Sequence, residues 1–254
     1  MQITRFERGL HDRVAIVTGA AVGNGRAFCE RLAEEGAKLV IADVESAAAT
    51  EAAVRALGGE VVSVQADMTV PSDVERVVAT AIDTYGRIDI LVHNVGHYSE
   101  EPFELLSYTE WKRTLDITLD SMFHTVRGVL PHMKRAGFGR IITFSSDTVW
   151  LGTPYLTHYV TAKMGVIGFT RSLAAEVGKY GITINTVTVG LTATQNVSSS
   201  STMSPLLEHI IPAQAVHRAD EPEDIANVVA FLALPASGII TGQTINVDGG
   251  VARH

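Results

Sequence analysis

A single cysteine, Cys29, in a chain of 254 residues excludes an intrachain disulfide, and no His/Cys/Asp cluster at ligand spacing suggests a metal site. Cys29 lies in an apolar helical pattern and reads as a core residue. Aromatic residues are few, at 6%, and charged residues reach only 19%, with acids in excess: the net charge is −8 and no basic cluster is present. That balance argues against a nucleic-acid or anionic-membrane surface. Long apolar runs are missing too. No stretch approaches the ~20 residues a membrane span requires, and residues 1–13 are charged and lack the apolar run of a signal peptide. A soluble, cytoplasmic protein is the expectation. What the chain does have is 46% hydrophobic residues, which allows a substantial core and weighs against disorder.

Short β-branched runs recur along the chain, each followed by a helical pattern. Val14-Ala-Ile-Val17, Lys38-Leu-Val-Ile-Ala42, Glu60 to Gln65, Ile88 to His93, Gly139 to Phe144, Ile182 to Val187 and Gln243 to Val247 read as strands. Ser72-Asp-Val-Glu75 and Ser107-Tyr-Thr-Glu110 have capping-box spacing and predict helix starts, the second helix running to about Lys134. Pro154 to Tyr180 reads as one long helix, and Asp220-Glu-Pro-Glu223 opens another. Residues 190–212 break the pattern with a polar run and predict a flap over a substrate, inside a single domain spanning 1–254. Strand and helix alternate without repeat or linker. The fold expected is α/β, a single-domain Rossmann-type doubly wound parallel sheet of about seven strands with helices on both faces.

Chemistry gathers after the strands. Thr18-Gly-Ala-Ala-Val-Gly-Asn-Gly25 joins a strand to a helix with glycines at 19, 23 and 25, a turn whose backbone can approach a diphosphate. Asp43 ends the second strand, where an acid accepts bonds from ribose hydroxyls and repels a 2′-phosphate; no Arg or Lys immediately follows it, so NAD is favoured over NADP. Asp67 with Met68, Asn94-Val-Gly96 and Ser146 also fall just past strands, and such positions converge on one sheet edge. In Tyr159-Val-Thr-Ala-Lys163 the phenol and the ammonium share a helix face. A lysine charge nearby is expected to lower the tyrosine pKa, so that Tyr159 moves a proton to or from an alcohol oxygen. Ser146 would hold that oxygen, and Lys163 would also bond the nicotinamide ribose. A nicotinamide cofactor would take the hydride, and no metal is needed.

With these motifs the chain resembles the short-chain dehydrogenase/reductase family over essentially its whole length. The glycine turn, Asp43, Asp67, His93-Asn-Val-Gly96, Ser146, Tyr159 with Lys163, Asn185-Thr-Val-Thr-Val-Gly190 and Thr194 follow the order and spacing of that family. The resemblance implies Tyr159 as acid/base, Ser146 as stabiliser of the substrate oxygen and Lys163 as ribose binder. It implies Gly19, Gly23, Asn24, Gly25, Asp43, Asp67, Met68, Asn94 and Gly96 around NAD, with Thr194 near the carboxamide. It also implies a homotetramer built on residues 107–134, 154–180 and 243–254. Departures stand at Asn24 for an isoleucine, His93 for an asparagine and Val189 for a proline. Thr118 replaces an asparagine that kinks its helix and holds a relay water; a threonine can still reach a water or bond back to its own helix.

Within the family, Trp150-Leu, Tyr155-Leu-Thr-His-Tyr159 and the ending Asp248-Gly-Gly-Val-Ala-Arg-His254 are most similar to NAD-dependent secondary-alcohol dehydrogenases acting on aryl alcohols and ketones. Tyr98, Trp150, Tyr155, Leu191, Met203 and Leu206 are then expected to wall an apolar substrate pocket, with His97 beside it. Two other readings stay open. One is a 3-oxoacyl thioester reductase, a role the family usually fills with NADPH and a basic patch, against Asp43 and the charge of −8. The other is a nucleotide-binding scaffold without turnover, which intact Ser146, Tyr159 and Lys163 oppose.

Overall fold

The computed structural model describes residues 9–199 and 203–253. Seven strands, β1 (Val14–Thr18), β2 (Lys38–Asp43), β3 (Val61–Gln65), β4 (Ile90–His93), β5 (Gly139–Ser146), β6 (Ile182–Val189) and β7 (Thr244–Val247), form one parallel sheet in the order β3-β2-β1-β4-β5-β6-β7. Strands covered on both faces have no polar side to alternate with, which is why β1 is buried at every residue. Ala15 and Val17 enter one core with Phe28 and Leu32 of α1 (Gly23–Glu34). Ile225 and Val229 of α10 (Pro222–Ala233) complete it. Val14 and Ile16 enter the other core, with Val74 of α3 (Pro71–Tyr85), Met122 of α5 (Ser121–Ala136) and Val166 of α7 (Thr157–Val177). The remaining helices are α2 (Ala48–Ala56), α4 (Tyr108–Leu115), α6 (Thr148–Leu151), α8 (Gln195–Ser199) and α9 (Met203–Ile210). None among the described residues is long and apolar enough to cross a membrane.

Register sets the working edge. Thr18 lies opposite both Ala42 and His93, Asp43 opposite Gln65, and Ser146 opposite Val189, so the carboxyl ends of neighbouring strands finish nearly level. The strand order reverses between β1 and β4, and a reversal opens a crevice beyond those ends.

Several boundaries differ from expectation for local reasons. The Ser72 box does not form, because Pro71 with its fixed φ already occupies the first helical position and Val70 is the N-cap. Asp73 instead accepts the Asp67 N–H at 2.8 Å. Ser107 does cap α4, accepting the Glu110 N–H at 3.1 Å. The helix expected from there to Lys134 is interrupted by a π-helical turn, Asp116–Asp120, before α5 continues it to Ala136. The long helix over 154–180 is shorter, with α7 followed by a 3-10 turn at Gly178–Tyr180. Residues 190–212 are more ordered than the polar run suggests. They carry α8, α9 and a bridge from Thr192 to Asp220, although 200–202 fall outside the described residues.

Candidate active site

The glycine turn packs too tightly to take side chains. Gly19 has φ +65°, and a Cβ there would stand 2.7 Å from the Asn94 carbonyl oxygen. At Gly25 a Cβ would lie 1.9 Å from the Gly19 oxygen, which no rearrangement of side chains relieves. Asn94 ties the turn to β4 by donating to the Gly19 carbonyl at 3.0 Å. Gly23 opens α1, so the free N–H groups of that helix face the crevice.

Asp43 is bound at both oxygens, accepting the Ala21 N–H at 2.8 Å and the Glu45 N–H at 3.0 Å. The first bond holds the glycine turn against β2. Asp67 closes its own turn, accepting the Thr69 N–H at 2.8 Å and the Thr69 hydroxyl at 2.7 Å. Gly19, Asp43, Asp67, Met68, Asn94 and Gly96 all line one cavity of about 310 Å³. Its chemistry suits an adenosine: acids that leave acceptors toward ribose or amino groups, and Met68 as an apolar face. A dinucleotide fits this donor set, with the diphosphate against the glycine cradle.

A second cavity, of about 510 Å³, adjoins it through Asn94 and holds Asn24, Ser146, Tyr159, Lys163 and Thr194 on its wall. β5 delivers Ser146, and α7 delivers Tyr159 and Lys163 one turn apart. Lys163 is buried, donates to the Phe144 carbonyl at 3.1 Å and stands 5.6 Å from the centre of the Tyr159 ring. Gly96 permits this approach, since a Cβ there would sit 3.2 Å from the lysine Nζ. The Ser145 hydroxyl bonds the Lys163 carbonyl at 2.8 Å, fixing α7 to β5.

The expected lowering of the Tyr159 pKa by Lys163 is not what this arrangement gives. Burial pushes the phenol up to about 12, the Ser146 hydrogen bond opposes that, and the Asp147 charge adds to it. Burial likewise brings Lys163 down to about 8. Removing charge from water outweighs the attraction of one amine for its neighbour. At about 8, Lys163 keeps most of its charge at neutrality yet gives up a proton far more readily than a solvated lysine, which suits a proton carrier.

Thr118 lies within the π-helical turn, buried at 1% exposure, and its hydroxyl has no hydrogen-bond partner among the described residues. It therefore does not bond back to its own helix. The irregularity ascribed to an asparagine is made here by the π-turn itself. His93 is a buried link, its ring nitrogens at 3.2 Å from the Thr18 hydroxyl and 3.2 Å from the Ser121 hydroxyl. Burial, then the Lys163 charge, lowers it to about 3, so it stays neutral.

The substrate wall is only partly as expected. Tyr98, Leu191 and Leu206 line the larger cavity, whereas His97 lines the smaller one and pairs with Glu110 at 2.7 Å. Trp150 and Tyr155 are not among the lining residues. Tyr155 is exposed, held at φ +65° with its carbonyl accepting the Glu101 N–H at 3.0 Å. Met203 begins α9, and its side chain lies outside the described residues. Tyr98 meets Tyr159 edge-on, 5.4 Å between ring centres. Leu151, Leu156, Val197 and Ile210 join the wall without having been singled out. Leu151 was the readable one, directly beside Trp150. Among the described residues no group of three or more His, Cys, Asp or Glu is placed to hold a metal ion.

Comparison with known proteins matches residues 19–252 to the family model described as enoyl-(acyl carrier protein) reductase. The short-chain reductase protein NovJ of Streptomyces niveus is 39% identical, over 94% of this chain and 94% of its own. Subunit BbsD of (2S)-[(R)-hydroxy(phenyl)methyl]succinyl-CoA dehydrogenase from Thauera aromatica is 38% identical, over 95% of this chain and 97% of its own. A 3-oxoacyl-[acyl-carrier-protein] reductase of Synechocystis is 36% identical, over 94% and 96%. Among solved structures, levodione reductase superposes with a TM-score of 0.89 at 32% identity, over 94% of this chain and 97% of that one.

Proposed function

The chain belongs to the short-chain dehydrogenase/reductase family of oxidoreductases, and from that premise we propose that it is an NAD-dependent enzyme interconverting a secondary, aryl or alicyclic, alcohol and its ketone. One observation carries the reading: Ser146, Tyr159 and Lys163 share the wall of a cavity whose exposed lining surface is more apolar than polar and whose edge meets the glycine cradle. Bound NAD supplies the hydride acceptor. The protein does the rest. Ser146 bonds the substrate oxygen, Tyr159 takes or gives its proton, and Lys163 exchanges that proton onward. Tyr98, Leu151 and Leu206 exclude water from the reacting carbon.

NAD is favoured by Asp43 on the cleft wall, since a carboxylate there would repel a 2′-phosphate. An aryl alcohol is favoured by the apolar lining, by the resemblance to dehydrogenases such as 1-phenylethanol dehydrogenase, and by a relative named for a hydroxy(phenyl)methyl substrate. The relatives named 3-oxoacyl-[acyl-carrier-protein] reductase keep a thioester reading in view; the net charge of −8 opposes docking of an acidic carrier. Tetramer formation rests on the resemblance alone, and sedimentation of the purified protein tests it.

The test is a panel of aryl and alicyclic alcohols, ketones and 3-oxoacyl thioesters, followed by absorbance of the reduced cofactor. Turnover of aryl alcohols with NAD is expected. Tyr159→Phe should lower that turnover at least about a hundredfold, the usual worth of a general acid/base, with NAD affinity near the parent value. Turnover retained in this variant would remove Tyr159 from the role.

A further inference from the structure

Tyr98 stands at the mouth of the larger cavity, 39% exposed, its ring edge-on to Tyr159 with 5.4 Å between centres. A side chain that open has little packing to fix it, and residues 94–102 around it form no helix or strand. Side-chain bonds on alternate residues hold this segment instead. His97 Nε2 lies 2.7 Å from Glu110 Oε1, and the Ser99 hydroxyl donates to the same oxygen at 2.8 Å. Tyr98 and Glu100, the residues between and after them, bond each other. In extended chain successive side chains face opposite ways, so a grip on 97 and 99 sets the direction of 98.

Glu110 is built for that grip. It sits in the first turn of α4, where its own N–H is capped by Ser107 at 3.1 Å. The Ser99 bond first, and the His97 bond after it, hold its carboxyl below the ordinary value. Bonds to an ionised acceptor are roughly twice as strong as neutral ones. Its other oxygen lies 3.6 Å from Arg113. Ser99 carries the hold further: its single proton goes to Glu110, so it can only accept from His158 Nε2 at 2.9 Å. His158 is fully buried in the first turn of α7, directly before Tyr159. One hydroxyl thus joins α4, the loop after β4 and the helix that carries the acid/base.

We propose that Glu110 is a positioning residue that sets substrate selectivity: by gripping His97 and Ser99 it holds the Tyr98 ring as a fixed wall against which an aromatic substrate packs. The inference rests on the dehydrogenase reading above for what meets that wall; the grip itself is a property of the loop. Glu110 touches neither cofactor nor reacting atoms, and it acts through Tyr98 alone.

Two readouts separate this proposal from the function it rests on. The first needs no substrate. In the NAD-saturated full chain carrying 3-fluorotyrosine, the fluorine resonance of Tyr98, assigned by its loss in Tyr98→Phe, reports the neighbouring Tyr159 ring. Glu110→Ala should move it toward the value of the unfolded chain, and Glu110→Gln, which keeps an acceptor oxygen, should return it toward the parent. The second readout is kinetic. Glu110→Ala should raise KM for aryl alcohols about three- to tenfold, the worth of one aromatic contact, with kcat within about twofold, as loss of uniform binding requires. In a Tyr98→Ala background the same substitution should add less than about twofold, because the wall it holds is already gone. Ser99→Ala, which removes one of the two ties, serves should Glu110→Ala fail to fold. A resonance that stays in place overturns the proposal. So does an unchanged KM on a panel that turns over, or a KM loss equally large without Tyr98. A shifted resonance with no turnover of any panel member sustains the grip and sinks the dehydrogenase reading instead.

Discussion

The hydroxyl of Thr118 is a buried donor with no partner among the described residues. Leaving such a group dry costs about 1–3 kcal/mol, and valine has the same shape without the polar atom. Thr118→Val is therefore expected to hold or raise the melting temperature, with a gain of up to about 1 kcal/mol in denaturant unfolding. A loss larger than that would mean that the hydroxyl is hydrogen-bonded, as a relay water would require. Single residues were legible in sequence where their chemistry is self-evident. Ser146, Tyr159 and Lys163 do share one cavity, but their protonation did not follow from spacing. Spacing puts an amine near a phenol; how dry the pair becomes depends on Leu156 at the cap of the same helix and on Phe144 and Tyr98 from two other parts of the chain.

At the scale of elements, Asp43 joins β2 to the turn after β1. Its bond to the Ala21 N–H at 2.8 Å gives it a structural duty besides any contact with a ribose. Asp43→Asn separates the two, since the amide oxygen can keep the bond while the charge goes. We expect the ratio of NADP to NAD dissociation constants to fall by about tenfold, one near charge being worth ~1.4 kcal/mol. Melting temperature should fall somewhat, because the amide NH2 cannot accept the Glu45 N–H that Asp43 Oδ1 takes, and an unchanged ratio would assign the discrimination elsewhere. The strands were readable because a parallel sheet buried on both faces leaves uninterrupted apolar runs, as in β1 and β4. The π-turn was not, since Asp116-Ile-Thr-Leu-Asp120 has no proline or glycine to announce it. Nor were α8 and α9, where serine and threonine favour turns and order comes from packing over the cavity.

Across the whole molecule, buried charge gathers at the carboxyl edge of the sheet and shapes stability as a function of pH. Asp147 and Asp220 are raised to about 6, each by burial first and by the neighbouring carboxylates after it. A raised acid contributes most below its unfolded value, near 4, and that contribution is lost as pH climbs through 6. His93 works the other way: held down to about 3, it contributes fully above about 6.5 and loses that as pH falls. His132 is also held below its ordinary value, by burial and then by Arg135, so the raised aspartates and the lowered histidines pull against each other on mild acidification. Asp220 is the place to read this, because its Oδ2 is buried without a partner among the described residues while Oδ1 takes the Gln214 amide at 3.0 Å. Asp220→Asn keeps an acceptor for Gln214 and removes the charge. It should stabilise the protein by ~1–3 kcal/mol at pH ~7.5, the worth of about two pH units less the cost of repacking. The gain should vanish near pH ~4, where the parent carboxyl is already protonated. Thermal unfolding of both proteins across that range decides it. An equal difference at both ends would place the effect in packing, while a difference that closes on acidification ties the stability of the sheet edge to the Asp220 charge.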